Sequence, residues 1–303
     1  MSPIVSSFGS LSTKSVGFSN HISYVSKSGQ LYSDTTYNYI VYQTSGTFLD
    51  DFIVFKNINV DILVIGGGGA AGCTWQIDTT QGPYGGGGGA GGVIYNNSTS
   101  LTAPSVTLLP GKYSIVIGKG GSAELENGGY SRFGTQTIAN GGGAGGGASS
   151  GIGGATGGGG SSIIISSGIK DASGQGYAGG AGTTVNTGGG GGGGGATGIG
   201  QTAVSNGSSF VNAGNGGSGL VTFSSWSMVL GYPDPTLYPY YALAMGGGGG
   251  AISVTLNPSA SPGIGGSTPG SGGTAAYRRA SPSPRDIPAT PGYSGIVMIR
   301  FLK

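Results

Sequence analysis

The sequence predicts an all-β fold built around glycine. Three observations lead there. Short β-branched runs end repeatedly in glycine, glycine supplies 72 of the 303 residues, and no window places apolar residues at i, i+3, i+4 and i+7 between helix caps. The expected architecture is one of short, sandwich-like strands around a glycine-rich core of packed polyglycine-II-type segments, with essentially no helix.

Taken in order, "YNYIVYQTSGTF" (Tyr37 to Phe48) alternates well enough for a strand, a Ser-Gly turn and a second strand. "FIVFKNINVDILVIGGGG" continues as β-branched runs. "SLTAPSVTLLPGKYSIVIGKGG" reads as two strands joined in a hairpin by Pro110-Gly111. "YSRFGTQTIANGGGAGGG" adds a short strand that enters glycine. "YALAMGGGGG" (Tyr241 to Gly250) repeats the strand-into-glycine pattern, and "YSGIVMIRFLK" closes the chain with a strand.

Seven glycine runs lie between these stretches, at 66–69, 85–89, 141–143, 145–147, 157–160, 188–195 and 246–250. One such run would read as a flexible linker. Repeated runs that abut apolar strands point instead to extended glycine with three residues per turn, no internal hydrogen bonds and outward-pointing N–H and C=O groups. Without Cβ atoms such helices can pack closely and bond laterally. Each bond is worth only about 1 kcal/mol net, so many are needed. Gly66, Gly67, Gly68, Gly69, Gly87, Gly142, Gly190 and Gly248 are the expected scaffold positions. Gly190→Val is expected to be severe, and the interspersed Ala, Ser and Thr are expected on outer faces.

Composition excludes several functions. Charged residues make up 7% of the chain, and the net charge of +2 is not clustered, so a nucleic-acid footprint is missing. No apolar run approaches the ~20 residues of a membrane span. The first residues after Met1 carry no signal-peptide pattern. Cys73 is the single cysteine and His21 the single histidine, too few for a metal centre or for Cys–His chemistry. Glu124 and Glu126 read as a polar turn, Asp50-Asp51 as a solvated strand start, and Arg278, Arg279 and Arg285 as part of a Pro/Ser-rich loop.

"VDILVIGGGGAAG" (residues 60 to 72) imitates a dinucleotide-binding turn, with Gly67, Gly69 and Gly72 at G-x-G-x-x-G spacing. The mechanism needs a helix starting at the glycines and an acid about 20 residues on. "CTWQIDTTQGPYGGGGG" is not helical in pattern, Asp78 comes too early, and Glu124 is the next acid. Within poly-Gly the spacing arises without any nucleotide. A dinucleotide enzyme is therefore the distant third reading. No cofactor, metal or catalytic residue is expected. Gly66 to Gly69 are expected to bond laterally to another glycine run, with Cys73 to Tyr84 projecting from the end.

The series "VDILVIGGGGAAG … YGGGGGAGGVIY … VTLLPGKYSIVIGKGG … GGYSRFG … IANGGGAGGG … YSGIVMIRF" resembles the glycine-rich domain of bacteriophage and large-virus structural proteins, from about Gly46 to Lys303. It is also similar to the polyglycine sandwich of tail-fibre adhesins of T-even-type phages, differing in its extra strands and longer spacers. Glycine-rich receptor-kinase and antifreeze domains are a weaker likeness. The resemblance implies a non-enzymatic virion surface or fibre protein, assembled in host cytoplasm and binding a host surface protein or glycan. A purely structural capsid or appendage subunit is the alternative. Residues 1–45 would attach to other virion proteins, and 46–303 would form the glycine-rich domain as part of a larger assembly. Phe223 to Met245 is the main candidate contact, concentrating Trp226, Tyr232, Tyr238, Tyr240 and Tyr241 with three stiffening prolines, because rigid aromatics anchor recognition surfaces. Trp75 and Tyr84, in the loop from Cys73, form a second candidate.

Overall fold

The computed structural model describes residues 24–72, 85–122, 125–135, 137–147, 150–161, 166–184, 188–205, 211–249, 252–253, 263–275, 277–279, 285–287 and 289–303. Its strands are β1 (Tyr24–Ser26), β2 (Gln30–Ser33), β3 (Tyr37–Tyr42), β4 (Gly46–Val54), β5 (Ile58–Ile65), β6 (Val93–Tyr95), β7 (Val106–Leu108), β8 (Gly111–Ile117), β9 (Ser131–Phe133), β10 (Thr137–Ala139), β11 (Val204–Ser205), β12 (Val211–Asn212), β13 (Ile252–Ser253), β14 (Tyr277–Arg279), β15 (Arg285–Ile287) and β16 (Ile296–Leu302). Two antiparallel sheets dominate. One has the order β1-β4-β8-β9-β10. The other has the order β2-β3-β16-β5-β6, with β7 also on β5.

Alternation in the central strands of the second sheet builds two cores. Ile40, Tyr42, Ile62, Val64, Val297 and Ile299 face the first sheet and pack with its Phe52, Ile115, Ile117 and Phe133. Tyr39, Val41, Leu63, Ile65, Ile296 and Met298 point the other way, against Ala90, Leu220, Phe223, Trp226 and Leu243. Burial on both faces explains why "ILVI" and "IVMI" read as unbroken apolar runs.

The all-β reading therefore holds, while several details differ. Pro110-Gly111 does not close a hairpin: β7 pairs with β5 while β8 pairs with β4 and β9, so the turn carries the chain from one sheet to the other. Strands from before and after residue 45 share sheets. β3 lies between β2 and the C-terminal strand β16, and β1 pairs with β4. A short helix, α1, spans Ser224–Met228, flanked by 3-10 turns at Val221–Phe223 and Pro239–Tyr241. It has no side-chain cap, so the packing of Trp226 holds it, not sequence propensity. "YALAM" is consequently a turn, with Ala244 at φ 54°. The arginine loop is partly strand, β14 and β15 pairing antiparallel. Asp51 is buried, accepting hydrogen bonds from Ser28 and the Tyr42 hydroxyl.

The glycine runs continue the strands. β5 passes directly into Gly66, β8 into Gly118 and β10 into Asn140, while β6 is entered from Gly92 and β16 from Gly295. Beyond that line the hydrogen-bonding repeat changes. The N–H groups of Gly66, Gly69 and Gly72 donate to Gly92, Gly89 and Gly86; those of Gly67 and Ala70 donate to Gly129 and Glu126; those of Gly68 and Ala71 donate to Tyr293 and Thr290. Successive amides thus address three neighbours in rotation, a repeat of three where a strand repeats every two.

The run from Gly86 to Gly92 sits at the centre. It donates to Asn140–Gly146 (from Gly86, Gly89 and Gly92), to Gly191 and Gly194 (from Gly87 and Ala90), and to Gly273 and Gly270 (from Gly88 and Gly91). It accepts from the Gly66–Gly72 run, from Gly159 at Gly87 and from Gly247 at Gly88. Neighbouring backbones approach so closely that a Cβ on Gly87 would lie 2.0 Å from the Gly247 carbonyl oxygen, and one on Gly88 would lie 2.1 Å from that of Gly69. At Gly66, Gly67, Gly68, Gly69, Gly142 and Gly248 the nearest backbone oxygen is equally close, and the carbonyl of Gly190 accepts from Gly214. Ala90, Ala144, Ala155 and Thr156 are buried, not on outer faces as expected. Ala90 lies where the lattice meets a side-chain layer, and there a methyl group has room.

Gly88→Ala is expected to prevent stable folding or to lower the melting temperature steeply, because only backbone can yield. Gly111→Ala, whose Cβ would have nothing nearer than 3.9 Å, is expected to change stability by no more than about 0.5 kcal/mol. Thermal unfolding of the two variants followed by circular dichroism checks both.

Candidate functional site

The segment between Gly219 and Met245 leaves the lattice and returns to it. Its ends are tied by Leu220 N–H donating to the Leu243 carbonyl at 2.8 Å. Trp226 projects inward and is 2% exposed. Its ring meets Tyr39, Tyr95 and Phe223 at centroid distances of 5.6, 6.2 and 6.1 Å. The Arg300 guanidinium lies 4.7 Å from the Trp226 ring and 4.3 Å from that of Tyr37. Trp226 is thus a core anchor, and its truncation cannot report on surface binding.

Beneath it, Arg300 and Asp61 are register partners on β16 and β5. Arg300 donates from Nε at 3.1 Å and from a terminal nitrogen at 2.5 Å to one Asp61 oxygen. Asn96 and Ser105 donate to the other oxygen. Burial, the largest single influence, pushes the Asp61 carboxyl up, but the donors from Ser105, Arg300 and Asn96 together hold it below the usual carboxylate range. Asp34 and Asp51 are lowered in the same way, with burial opposed by hydroxyl and backbone donors. This cluster escaped the sequence reading. Its signal was there in a single acid within "VDILVI" and a single arginine within "IVMIRF", each interrupting an apolar strand.

The four tyrosines of the segment touch one another, Tyr238 and Tyr240 exposed and Tyr232 and Tyr241 half-buried. Tyr240 and Tyr241 are 4.8 Å apart, Tyr238 and Tyr240 6.1 Å, and Tyr232 and Tyr241 6.4 Å. Tyr238 is 47% and Tyr240 38% exposed, with Leu237 at 72% beside them. Asp234 shapes the turn, its carboxylate accepting from the amide and hydroxyl of Thr236 while its carbonyl accepts from the Tyr238 amide at 2.9 Å. The Ser227 hydroxyl donates to the Tyr241 carbonyl at 2.8 Å, fastening the surface layer to α1. The segment thus has an inner face with Phe223 and Trp226 and an outer side on which Tyr238 and Tyr240 are exposed. Trp75 and Tyr84 lie outside the described residues.

The glycines of the nucleotide-like motif are already engaged. The amides of Gly67, Gly69 and Gly72, which a pyrophosphate would need, donate to Gly129, Gly89 and Gly86. Among the described residues no group of His, Cys, Asp and Glu could hold a metal, and no helix is long and apolar enough to cross a membrane.

Sheets that run into a cross-bonded glycine lattice, and a tyrosine surface pinned to them, define a glycine-scaffold β protein. The sequence matches the family described as "Glycine-rich domain" over residues 43–302, and the chain belongs to that family. Among curated proteins none matches it.

Trp226→Ala is expected to cost about 3–5 kcal/mol of stability, measured by denaturant unfolding. Because Asp34, Asp51 and Asp61 titrate lower in the folded chain, their contribution is complete above the unfolded carboxylate range near ~4. It is lost as pH falls through their folded values. Unfolding midpoints should drop below about pH 4, and Asp61→Asn should flatten that drop while lowering stability at neutral pH.

Proposed function

We propose that this chain is a non-enzymatic surface or fibre protein of a virion that presents recognition surfaces on a rigid glycine scaffold, acting in attachment to a host. The scaffold is read as a bundle of polyglycine-II-type helices, supported by the three-residue repeat of its hydrogen bonds. The single observation that carries the recognition reading is the tyrosine cluster, exposed yet held in place from below. Tyrosine offers large contact area at little conformational cost, and a surface of this kind on a folded chain marks an interaction site.

The layout of the lattice supports the same reading. One layer of bonds joins Gly72 to Gly86, Gly86 to Gly146, Gly146 to Gly159, Gly160 to Gly180 and Gly191, Gly190 to Gly214, Gly214 to Gly249, and Gly249 to Gly263. These residues flank the connections 73–84, 147–150, 161–166, 250–262 and others. The glycines that flank these connections therefore share one layer of the lattice, while β5, β8, β10 and β16 meet the glycine runs at the other ends. Such a division suits a molecule attached at one end and presenting loops at the other. Assembly through residues 1–45 remains part of the proposal, with β1 to β3 also serving the fold itself.

Tyr238→Ala with Tyr240→Ala is expected to reduce adsorption of particles to the host at least about tenfold, by the size of central interface anchors, while leaving particle yield and melting temperature unchanged. A loss of particle yield with folding intact would favour the structural-subunit reading instead.

A further inference from the structure

The chemistry of the tyrosine surface narrows what it would take. Tyr232, Tyr238, Tyr240 and Tyr241 are in mutual ring contact. Tyr238 and Tyr240 are exposed, and Tyr232 and Tyr241 lie half-buried beside them. Each ring carries a phenol hydroxyl, so the patch joins apolar faces to neutral donors and acceptors.

Charge is nearly missing from the segment that supplies these rings. Asp234 is the only ionised side chain from Ala172 to Tyr277, and its carboxylate is occupied by Thr236. An anionic ligand would find no guanidinium or ammonium in this segment, and a cationic one would find no free carboxylate there. What remains is aromatic faces at mutual tilts of 27° to 78°, carrying neutral phenol donors and acceptors. An uncharged sugar ring has the complementary character, with apolar C–H faces and a perimeter of hydroxyls. The prolines at 233, 235 and 239 and the Asp234 turn hold the rings before any ligand arrives, so little ordering is left to oppose binding.

We propose that the surface of Tyr232, Tyr238, Tyr240 and Tyr241 binds an uncharged saccharide. This rests on the recognition reading above and specifies its ligand class. The test titrates the full chain with maltohexaose, chitohexaose and lacto-N-neotetraose, with sialyllactose and a heparin hexasaccharide as charged comparators, by saturation-transfer NMR and calorimetry. At least one neutral oligosaccharide is expected to bind saturably. Tyr238→Ala with Tyr240→Ala should weaken it at least about tenfold, Tyr240→Phe should retain most of the binding, and Ile169→Ser at a remote exposed position should leave it unchanged. Failure of every neutral oligosaccharide, or equal binding to the double variant, overturns the inference, as does tighter binding of the charged comparators. Adsorption lost in the double variant without any saccharide binding overturns the saccharide but keeps the attachment reading. Saccharide binding that the double variant loses while its adsorption stays normal does the reverse.

Discussion

The approach distance between glycine backbones governs this molecule. Where two runs meet, the carbonyl oxygen of one occupies the space a Cβ on the other would fill. Every amide can then point to a neighbour, and each run can have neighbours on all sides. Ordinary cores exclude water by interdigitating side chains. Here the same exclusion comes from peptide groups satisfying one another, which also answers the demand that buried backbone be hydrogen-bonded. Folding such a chain costs much conformational entropy, since glycine has most to lose. The sheets offset part of that cost by starting the runs side by side, with β5, β6 and β16 in register before the first glycine.

The side-chain cores meet the lattice in a way that fixes its orientation. The second sheet is covered on one face by the first sheet. Its other face is closed by a segment that comes out of the lattice and goes back into it. Trp226 anchors that segment over an ion pair between two central strands, and the tyrosines are its outer surface. The site is therefore a by-product of closing a core: the residues that face solvent are placed by those that do not.

Local patterns in the sequence were informative, and long-range ones were not. The strands at Tyr37–Tyr42, Ile58–Ile65 and Ile296–Leu302 could be read from β-branched runs, and lateral bonding at Gly66 to Gly69 followed from the missing Cβ. The partners could not be read, because Gly87 bonding to Gly191 or Gly68 to Tyr293 leaves no periodic trace in a run of identical residues. The Pro110-Gly111 turn looks the same whether it closes a hairpin or passes between sheets; only pairing decides. Trp226 and Tyr240 belong to one aromatic stretch, yet one is core and the other surface. Their separation depends on α1, which packing creates.

Because each glycine run is bonded along its own length, the stretch between two runs begins and ends on residues that their neighbours hold. Gly72 is bonded to Gly86, and Gly86 to Gly146. Loop-closure entropy rises only slowly with length, so such connections can be lengthened, shortened or rewritten with little effect on the rest. The architecture separates invention from folding: the lattice tolerates almost no change of its own residues, and in return it leaves the text between them free to vary.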